Sequence, residues 1–571
     1  MVFSFLCAAM LSAVPTVDLI ESDLASRDAA IDAEWRNMSD RSAFERKRED
    51  FKERFRRVTA FCGIRRTPLN ARTIGTKNYG AFRIEKVVIE SAPGVLLPLL
   101  VFLPDVGKFA PPYAGFVFIP GHSDEGKGAA SYLHTCELGA RHGLASVIYD
   151  PLGQGERSQG AGLRNVQEHV RIGEYAVLVG ETTATYMLRD AVRVLDYLEN
   201  RPDVDSARLG VCGQSGGGTM ATYLMTADDR IKAAVPSCYL SSVREHLLAC
   251  GPQDAEQNFF GWWTWGFNHA AMILSAGCPV MINASVGDFF QIEGSRSTYG
   301  IVKDVAGKVG LPDGWYELSE NPGPHSMSKP HREQTVRFLL KHLKNVTRTV
   351  VEVDTADFTV EDYTVTPDGD VSHLAGFRSV YDEIADKFVA LGVSAEQAAI
   401  NARSLVRREL AGDAIKDVLA TLSGSIEKGK RTVLRIGGPA ASGEVTAVLF
   451  AEGVRLVPRT KRKGKVSYYE RRGDDEVVAV DLYIAGRSLA ALRAAELLTL
   501  AAELKRRTGH APEIIVSGHF SMAVKFALAA ASDAFAAVRF ENGQKSFPES
   551  LKSRDGLPFA ESGAIFSGKR E

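Results

Sequence analysis

The chain is poor in the residues that staple or metallate a small domain. It has 7 cysteines in 571 residues, and none falls in a CxxC spacing. A disulfide framework or a zinc ribbon is therefore excluded as the organising device. An excess of one charge is also missing: 68 Lys and Arg stand against 70 Asp and Glu, a net charge of -2. Nothing in that balance calls for nucleic acid or an anionic membrane as partner. Beyond the N-terminus, no apolar run is long enough to span a bilayer.

What the chain has is length. At 571 residues it is too long for one core, and two or more domains are expected. The composition, 45% hydrophobic and 24% charged, is that of a soluble globular protein. Residues 2–17 (VFSFLCAAMLSAVPTV) are apolar, with small residues near Ser12 and Ala13. The stretch has the look of the hydrophobic part of a secretory signal, although no Lys or Arg precedes it. Residues 1–19 are therefore expected to be a signal peptide, and the protein to be secreted or periplasmic. The alternatives are a cytoplasmic protein with a buried N-terminal segment, or a start codon placed too early. In an exported protein Cys238 and Cys250 could pair. Cys212, on an apolar strand, reads as a buried thiol.

The most informative stretch is Arg208-Leu-Gly-Val-Cys-Gly-Gln-Ser-Gly-Gly-Gly-Thr219. Within it, Gly213-Gln214-Ser215-Gly216-Gly217 has the G-x-S-x-G spacing of a nucleophile elbow. An apolar strand runs into it and a helix of small residues leaves it. That context holds a serine exposed on a sharp turn, with glycines supplying the unusual backbone.

Around the elbow, short apolar runs alternate with amphipathic stretches. Phe116–Ile119, Ser146–Tyr149, Leu209–Cys212, 233–236, 279–283 and 315–318 read as strands, and residues 181–199 as a helix with Leu188, Val192 and Leu195 on one face. Such alternation predicts a doubly wound, mostly parallel sheet. Residues 20–58 read as a charged helix with a solvated face.

A serine at its free pKa is a weak nucleophile and needs a base, which in turn needs an orienting acid. For an elbow serine these partners come later in the chain, acid before histidine. Asp288, in Ser285-Val-Gly-Asp288, follows the strand at 279–283. His325, in Asn321-Pro-Gly-Pro-His325, follows the strand at 315–318 and precedes the closing helix. Asp254 and Glu256 are the reserve candidates for the acid. His331 sits at a helix start, where it would face away. Oxyanion donors are expected from the N–H of Gly216 and from the loop after 116–119, at His122 or Ser123. Trp262, Trp263 and Trp265, three of the chain's five tryptophans, fall where a pocket wall could be inserted. They and Glu256 are candidates to line a substrate pocket or, equally, to plug the core.

With these residues in place, positions 68–343 resemble the bacterial acetyl xylan esterase-like and dienelactone hydrolase-like branch of the α/β-hydrolase superfamily. The blocks that carry the resemblance are PGHSDEGK, YDPLGQGERSQ, DYLENRPDVD, GQSGGGT, DDRIKAAVPSCY, GPQDAEQN, GDFFQIEGS and PHSMSKPHRE. It implies a serine ester hydrolase with no metal or cofactor, acting on a small-molecule or carbohydrate ester. Gln214 stands where that branch often has Asn, and Ser326 where Gly often follows the histidine.

The expected organisation is a signal at 1–19, a helical segment at 20–80, an α/β-hydrolase catalytic domain at 81–345, a linker at 346–376 and a smaller, non-catalytic α/β domain at 377–571. Residues 477–481, the helix at 488–507 and the turn after 514–517 parallel the elbow region, with Phe520 at the serine's position. This suggests a degenerate hydrolase-like repeat; an unrelated α/β domain is the alternative. Two other functions stay open: a serine peptidase of the prolyl-oligopeptidase kind, and a non-catalytic carbohydrate-binding protein. The peptidase kind carries a β-propeller ahead of its hydrolase domain, and only about 80 residues precede the sheet here.

Overall fold

The computed structural model describes residues 23–541, apart from 243–244, 247–253, 260, 263, 392–394, 411–417, 438, 440, 450–477, 481, 484–486 and 518–519. The 1–19 segment lies outside that range. Nine strands make the principal sheet: β1 Arg72–Asn78, β2 Phe82–Ala92, β3 Val95–Pro104, β4 Tyr113–Ile119, β5 Leu144–Tyr149, β6 Val204–Gln214, β7 Ile231–Ser237, β8 Val280–Ser285 and β9 Tyr316–Asn321. Their spatial order is β1-β2-β3-β5-β4-β6-β7-β8-β9. The β1–β2, β2–β3 and β3–β5 pairs are antiparallel. From β5 to β9 every pairing is parallel.

The sequence explains this split. Every residue of β3, β4 and β5 is buried, as continuous apolar runs covered on both faces require. β1 (RTIGTKN) is polar and exposed, which suits an edge. One face of the sheet is covered by helices Ala130–Arg141 and Lys329–Lys344, around Cys136, Phe338 and Leu339. The other carries helices Thr183–Glu199, Gly216–Ala227 and Ile292–Lys308, around Leu188, Leu195 and Leu224.

Two expectations change. The charged N-terminal segment is not merely a solvated helix. In helix Arg41–Val58, residues Phe44, Phe51, Phe55 and Val58 are buried. Phe51 and Phe55 meet Phe267 edge-on at 5.3 and 5.2 Å. The charge run masks an apolar stripe at helical spacing. Nor is 346–376 a free connector. Val350, Val365 and Val371 are buried in the core. The carboxylate of Glu156 accepts from the N–H groups of Val365 and Thr366, at 2.9 and 2.6 Å. Lys127, itself buried, pairs with Asp150 at 2.6 Å and also with Glu156.

Further along, helix Val380–Leu391 packs on the first sheet's helical layer, where Tyr381 donates to Glu168. A second sheet follows, of four parallel strands in the order β11-β10-β12-β13: β10 Val433–Ile436, β11 Glu444–Thr446, β12 Glu513–Ser517 and β13 Ala537–Glu541. The strand expected at 477–481 is absent among the described residues; positions 478–480 are helical. A short apolar run does not distinguish strand from buried helix by its periodicity. Without that strand, the proposed register with the elbow region fails.

Candidate active site

β6 runs into the turn at Ser215, and helix Gly216–Ala227 leaves it. Ser215 has φ 58° and ψ -122°, a left-handed backbone that a non-glycine residue adopts at a cost of about 1–3 kcal/mol. Two hydrogen bonds hold it there: its N–H donates to Ser237 O at 3.0 Å, and its carbonyl accepts from Thr219 N–H at 2.9 Å. The flanking glycines are sterically required. A Cβ on Gly217 would lie 1.8 Å from the carbonyl oxygen of Ile119 on β4, and one on Gly213 would lie 2.3 Å from Gly217 O.

Asp288 follows β8 and His325 follows β9. The loops bring them together although 37 residues separate them. Nδ1 of His325 donates to the Asp288 carboxylate, at 2.8 and 2.9 Å from its two oxygens. Asp288 is almost wholly buried and also accepts from the N–H of Phe290 at 3.0 Å. The Phe289 ring lies 4.4 Å from the imidazole, tilted by 38°.

Among the described residues, the elbow group that meets Nε2 of His325 is the side chain of Gln214, at 3.0 Å, rather than Ser215 Oγ. The opposite end of that amide accepts from Tyr132 OH at 2.7 Å. Together these assign Gln214 as donor to Nε2 and leave the Nδ1 proton on the side of Asp288. From the sequence, Gln214 was visible only as a departure from a pattern; that its amide spans Tyr132 and His325 needs the fold. His331 does point elsewhere: it is buried against Ser285 Oγ at 3.1 Å and Ser328 Oγ at 2.7 Å. Burial holds its pKa down at about 4, despite the opposing pull of Asp288.

On the other side of the elbow, His122 and Glu256 close on Gly216. A Cβ on Gly216 would come within 2.6 Å of Glu256 Oε1 and 2.8 Å of His122 Cε1. Asp254 Oδ2 lies 2.5 Å from His122 Nε2 and 2.6 Å from His169 Nδ1. The two imidazole nitrogens are 3.2 Å apart. Left to protons, burial opposes charge on His169, but Asp254 overrides it and moves the imidazole up to about 9. Asp254 is held well below the usual carboxylate range: burial works the other way, and His169 and His122 outweigh it. Burial pushes Glu256 up to about 7. So Asp254 and Glu256 do not contact His325; they belong to a separate cluster.

The remaining candidates divide. Gly216 is the first residue of its helix, where an N–H has no intrahelical carbonyl to reach. The N–H of Ser123 donates to Gln154 Oε1 at 2.8 Å, so Ser123 is corrected as an oxyanion donor. Trp262 is corrected as a pocket wall. It is buried, stacked on Phe259 at 5.2 Å and edge-on to Phe267 at 5.5 Å, because the aromatic run plugs the space beneath helix Arg41–Val58. Trp265 is half-buried under the Arg57 guanidinium at 5.8 Å. Trp263 and Cys250 lie outside the described residues. Cys238 is a buried free thiol, pushed up to about 12 by burial. A cavity of about 480 Å³ lies away from all of this, lined by Glu181, Arg189, Arg378, Glu383 and Lys387.

A nine-stranded, mostly parallel sheet with a strained serine between strand and helix is the α/β-hydrolase fold. Residues 173–262 match the model of the prolyl oligopeptidase family. Over 132 residues the chain is 34% identical to YtaP of Bacillus subtilis (strain 168), whose name gives it as an inferred hydrolase. The match covers 22% of this chain and 42% of YtaP, so the chain spans about two fifths of the curated relative it matches. Among solved structures, the methylesterase BT1017 superposes with a TM-score of 0.50 at 18% identity, over 65% of this chain and 80% of that one. An acetyl xylan esterase from Paenibacillus sp. R4 gives 0.40 at 19% identity, over 52% of this chain and 95% of that one. At these identities the structural likeness speaks for the fold alone.

Proposed function

We propose that the chain is a serine hydrolase that cleaves a carboxylic ester through an acyl-enzyme, with Ser215 as nucleophile, His325 as base and Asp288 as the acid that orients it. The observation that carries this reading is the Asp288–His325 pair, whose Nε2 reaches Gln214, the residue before a serine held at φ 58°. His325 Nε2 takes the Ser215 proton as Oγ adds to the ester carbonyl. The oxyanion is met by the N–H of Gly216 and, from the loop after β4, by that of His122. Collapse expels the alcohol, which receives the proton from His325. Water then repeats the sequence and frees the acid. In the resting protein Gln214 holds Nε2, and substrate entry would shift that bond to Ser215; catalytic hydrogen bonds often tighten only in the complex. A short acyl group, such as acetyl on a carbohydrate, is the substrate class this reading favours, from the resemblance of the motifs in residues 68–343 to the acetyl xylan esterase-like branch. Export of the protein belongs to the same reading.

A prolyl-oligopeptidase-type peptidase is the second reading, favoured by the family match at 173–262. The test is a panel of p-nitrophenyl acetate, longer acyl esters, acetylated xylan and a prolyl peptide. It is run on the wild type and on Ser215→Ala. Ester turnover that disappears with Ser215 supports the first reading. Peptide cleavage without ester preference supports the second. Ester turnover that survives the substitution overturns both.

A further inference from the structure

We propose that His122, His169, Asp254 and Glu256 bind a divalent transition-metal cation of the zinc type, in a buried site against the Cα of Gly216. The donors arrive from separate parts of the chain: the loop after β4, helix Asn165–Ala176, and the short turn at 254–257. Convergence of two imidazoles and two carboxylates from such distances is not a by-product of local sequence.

Three observations point to a cation. The first is spacing. Four ligands at zinc bond lengths place their donor atoms about 3.3–3.5 Å from one another. Here His122 Nε2 and His169 Nδ1 are 3.2 Å apart, Asp254 Oδ2 is 2.5 and 2.6 Å from them, and Glu256 Oε2 is 3.9 and 3.8 Å from them. The imidazole pair is near that separation, Asp254 stands closer at hydrogen-bond distance and Glu256 slightly wider, so a bound cation would draw Glu256 in and move Asp254 outward. The second is orientation. His169 Nε2 donates to the carbonyl of Leu152 at 2.8 Å, which fixes the ring and turns the Nδ1 lone pair towards the cluster. A ring nitrogen tied to a backbone carbonyl is the usual outer support of a metal-bound imidazole. Asp254 is held similarly: its Oδ1 accepts from Ala255 N–H at 2.6 Å, leaving Oδ2 to face the imidazoles. The third is charge. Asp254 and Glu256 are both wholly buried, and Glu256 Oε2 comes no nearer than 3.8 Å to either imidazole nitrogen, too far for a hydrogen bond to them. A buried carboxylate held this loosely is costly. One divalent cation with two neutral imidazoles and two carboxylates makes a neutral cluster and satisfies that oxygen. Hard oxygen-only cations are disfavoured by the two nitrogen donors, which suit zinc and its neighbours.

The proposal does not rest on ester hydrolysis, and its test reads metal rather than turnover. The full chain is stripped with a chelator, dialysed, and equilibrated separately with Zn²⁺ and Co²⁺. Metal is counted by mass spectrometry, and the Co²⁺ form is examined for the visible absorption of four-coordinate cobalt. The expected result is about one tightly held equivalent per chain and a four-coordinate cobalt spectrum. His169→Gln and Glu256→Gln should each weaken binding by more than the roughly 10- to 100-fold that outer partners cost. Ser215→Ala should bind like the wild type, whatever it does to ester turnover. The inference is overturned if the folded wild type holds no stoichiometric metal, or holds it as well as Glu256→Gln does. Glu256→Gln is nearly isosteric and guards against a His169 variant that fails to fold.

Discussion

The chain crosses from strand to helix in two comparable places, and the two turns are built for opposite ends. At the first, β6 gives way to Ser215 at φ 58°, and glycines at 213 and 217 let the first turn of helix Gly216–Ala227 close on the ends of β4 and β6. At the second, β12 leads to Phe520 at φ -89°, an ordinary helical value, with helix Ser521–Ala530 beyond it. Phe520 is buried, and the Arg493 guanidinium lies over its ring at 4.8 Å. The shared outline is a property of parallel strands joined by helices. What differs is where the free energy goes. The first turn carries backbone strain at a serine, offset by the sheet around it; the second puts its largest side chain into the core. A strand-turn-helix outline is therefore no evidence of chemistry until the backbone angle and the facing side chains are known.

The comparison can be broken most forcefully at Ser215. Ser215→Ala should lower ester turnover by about 10⁴- to 10⁶-fold while leaving the unfolding midpoint nearly unchanged. Phe520→Ala should do the reverse. It should cost about 3–5 kcal/mol of local stability, seen as faster amide exchange in β12 and β13, with turnover within about twofold of wild type. If turnover instead collapsed, the second sheet would be contributing to the site. Gly217→Ala should lower the unfolding free energy by about 3 kcal/mol or more, read as a lower denaturant midpoint, because its Cβ cannot avoid Ile119 O. A neutral result would mean that the elbow is looser than its contacts imply.

The smallest effect is one of pH. All five tryptophans precede residue 316, so their fluorescence follows the nine-stranded region alone. His269 is buried there, and burial holds its pKa down at about 4, against a partial offset from the Ser241 backbone. The unfolded chain takes up that proton near pH 6.5, so stability is fully present above that value and falls as the pH drops towards 4. Between pH 7 and 5 this should cost roughly 2 kcal/mol. In urea titrations His269→Gln should flatten the change by that amount. An unaltered slope would show that His269 has no part in it.

Much of the nine-stranded region was legible in the sequence, since buried parallel strands announce themselves as apolar runs between turn residues. Phe116–Ile119, Ser146–Tyr149 and Leu209–Cys212 fall within β4, β5 and β6. Asp288 and His325, expected because each follows a strand, lie within hydrogen-bond distance of one another. What was left open or misread shares a cause. The aromatic run at 259–267 left pocket wall and core plug equally open because a sequence does not say which helix covers it; helix Arg41–Val58 does. Residues 478–480 looked like a strand because three apolar residues carry no period. The 346–376 segment looked like a linker because acidic, Thr-rich composition hides Val350, Val365 and Val371, which are buried, and Val365 and Thr366 are held by Glu156, 209 and 210 residues away in the chain.

By itself the sequence determined the alternation that folds into an α/β-hydrolase sheet, the strained elbow at Ser215, and the chain order of Asp288 and His325. These are encoded locally, in apolar periodicity and in glycines at fixed offsets. Only the tertiary structure decided that Gln214 rather than Ser215 meets His325 in the resting protein, that Ser123 gives its N–H to Gln154, and that His122, His169, Asp254 and Glu256 converge beside Gly216. Each of those contacts joins groups with no short-range pattern between them. It exists only because the sheet brings the ends of its strands, and the loops beyond them, to one edge.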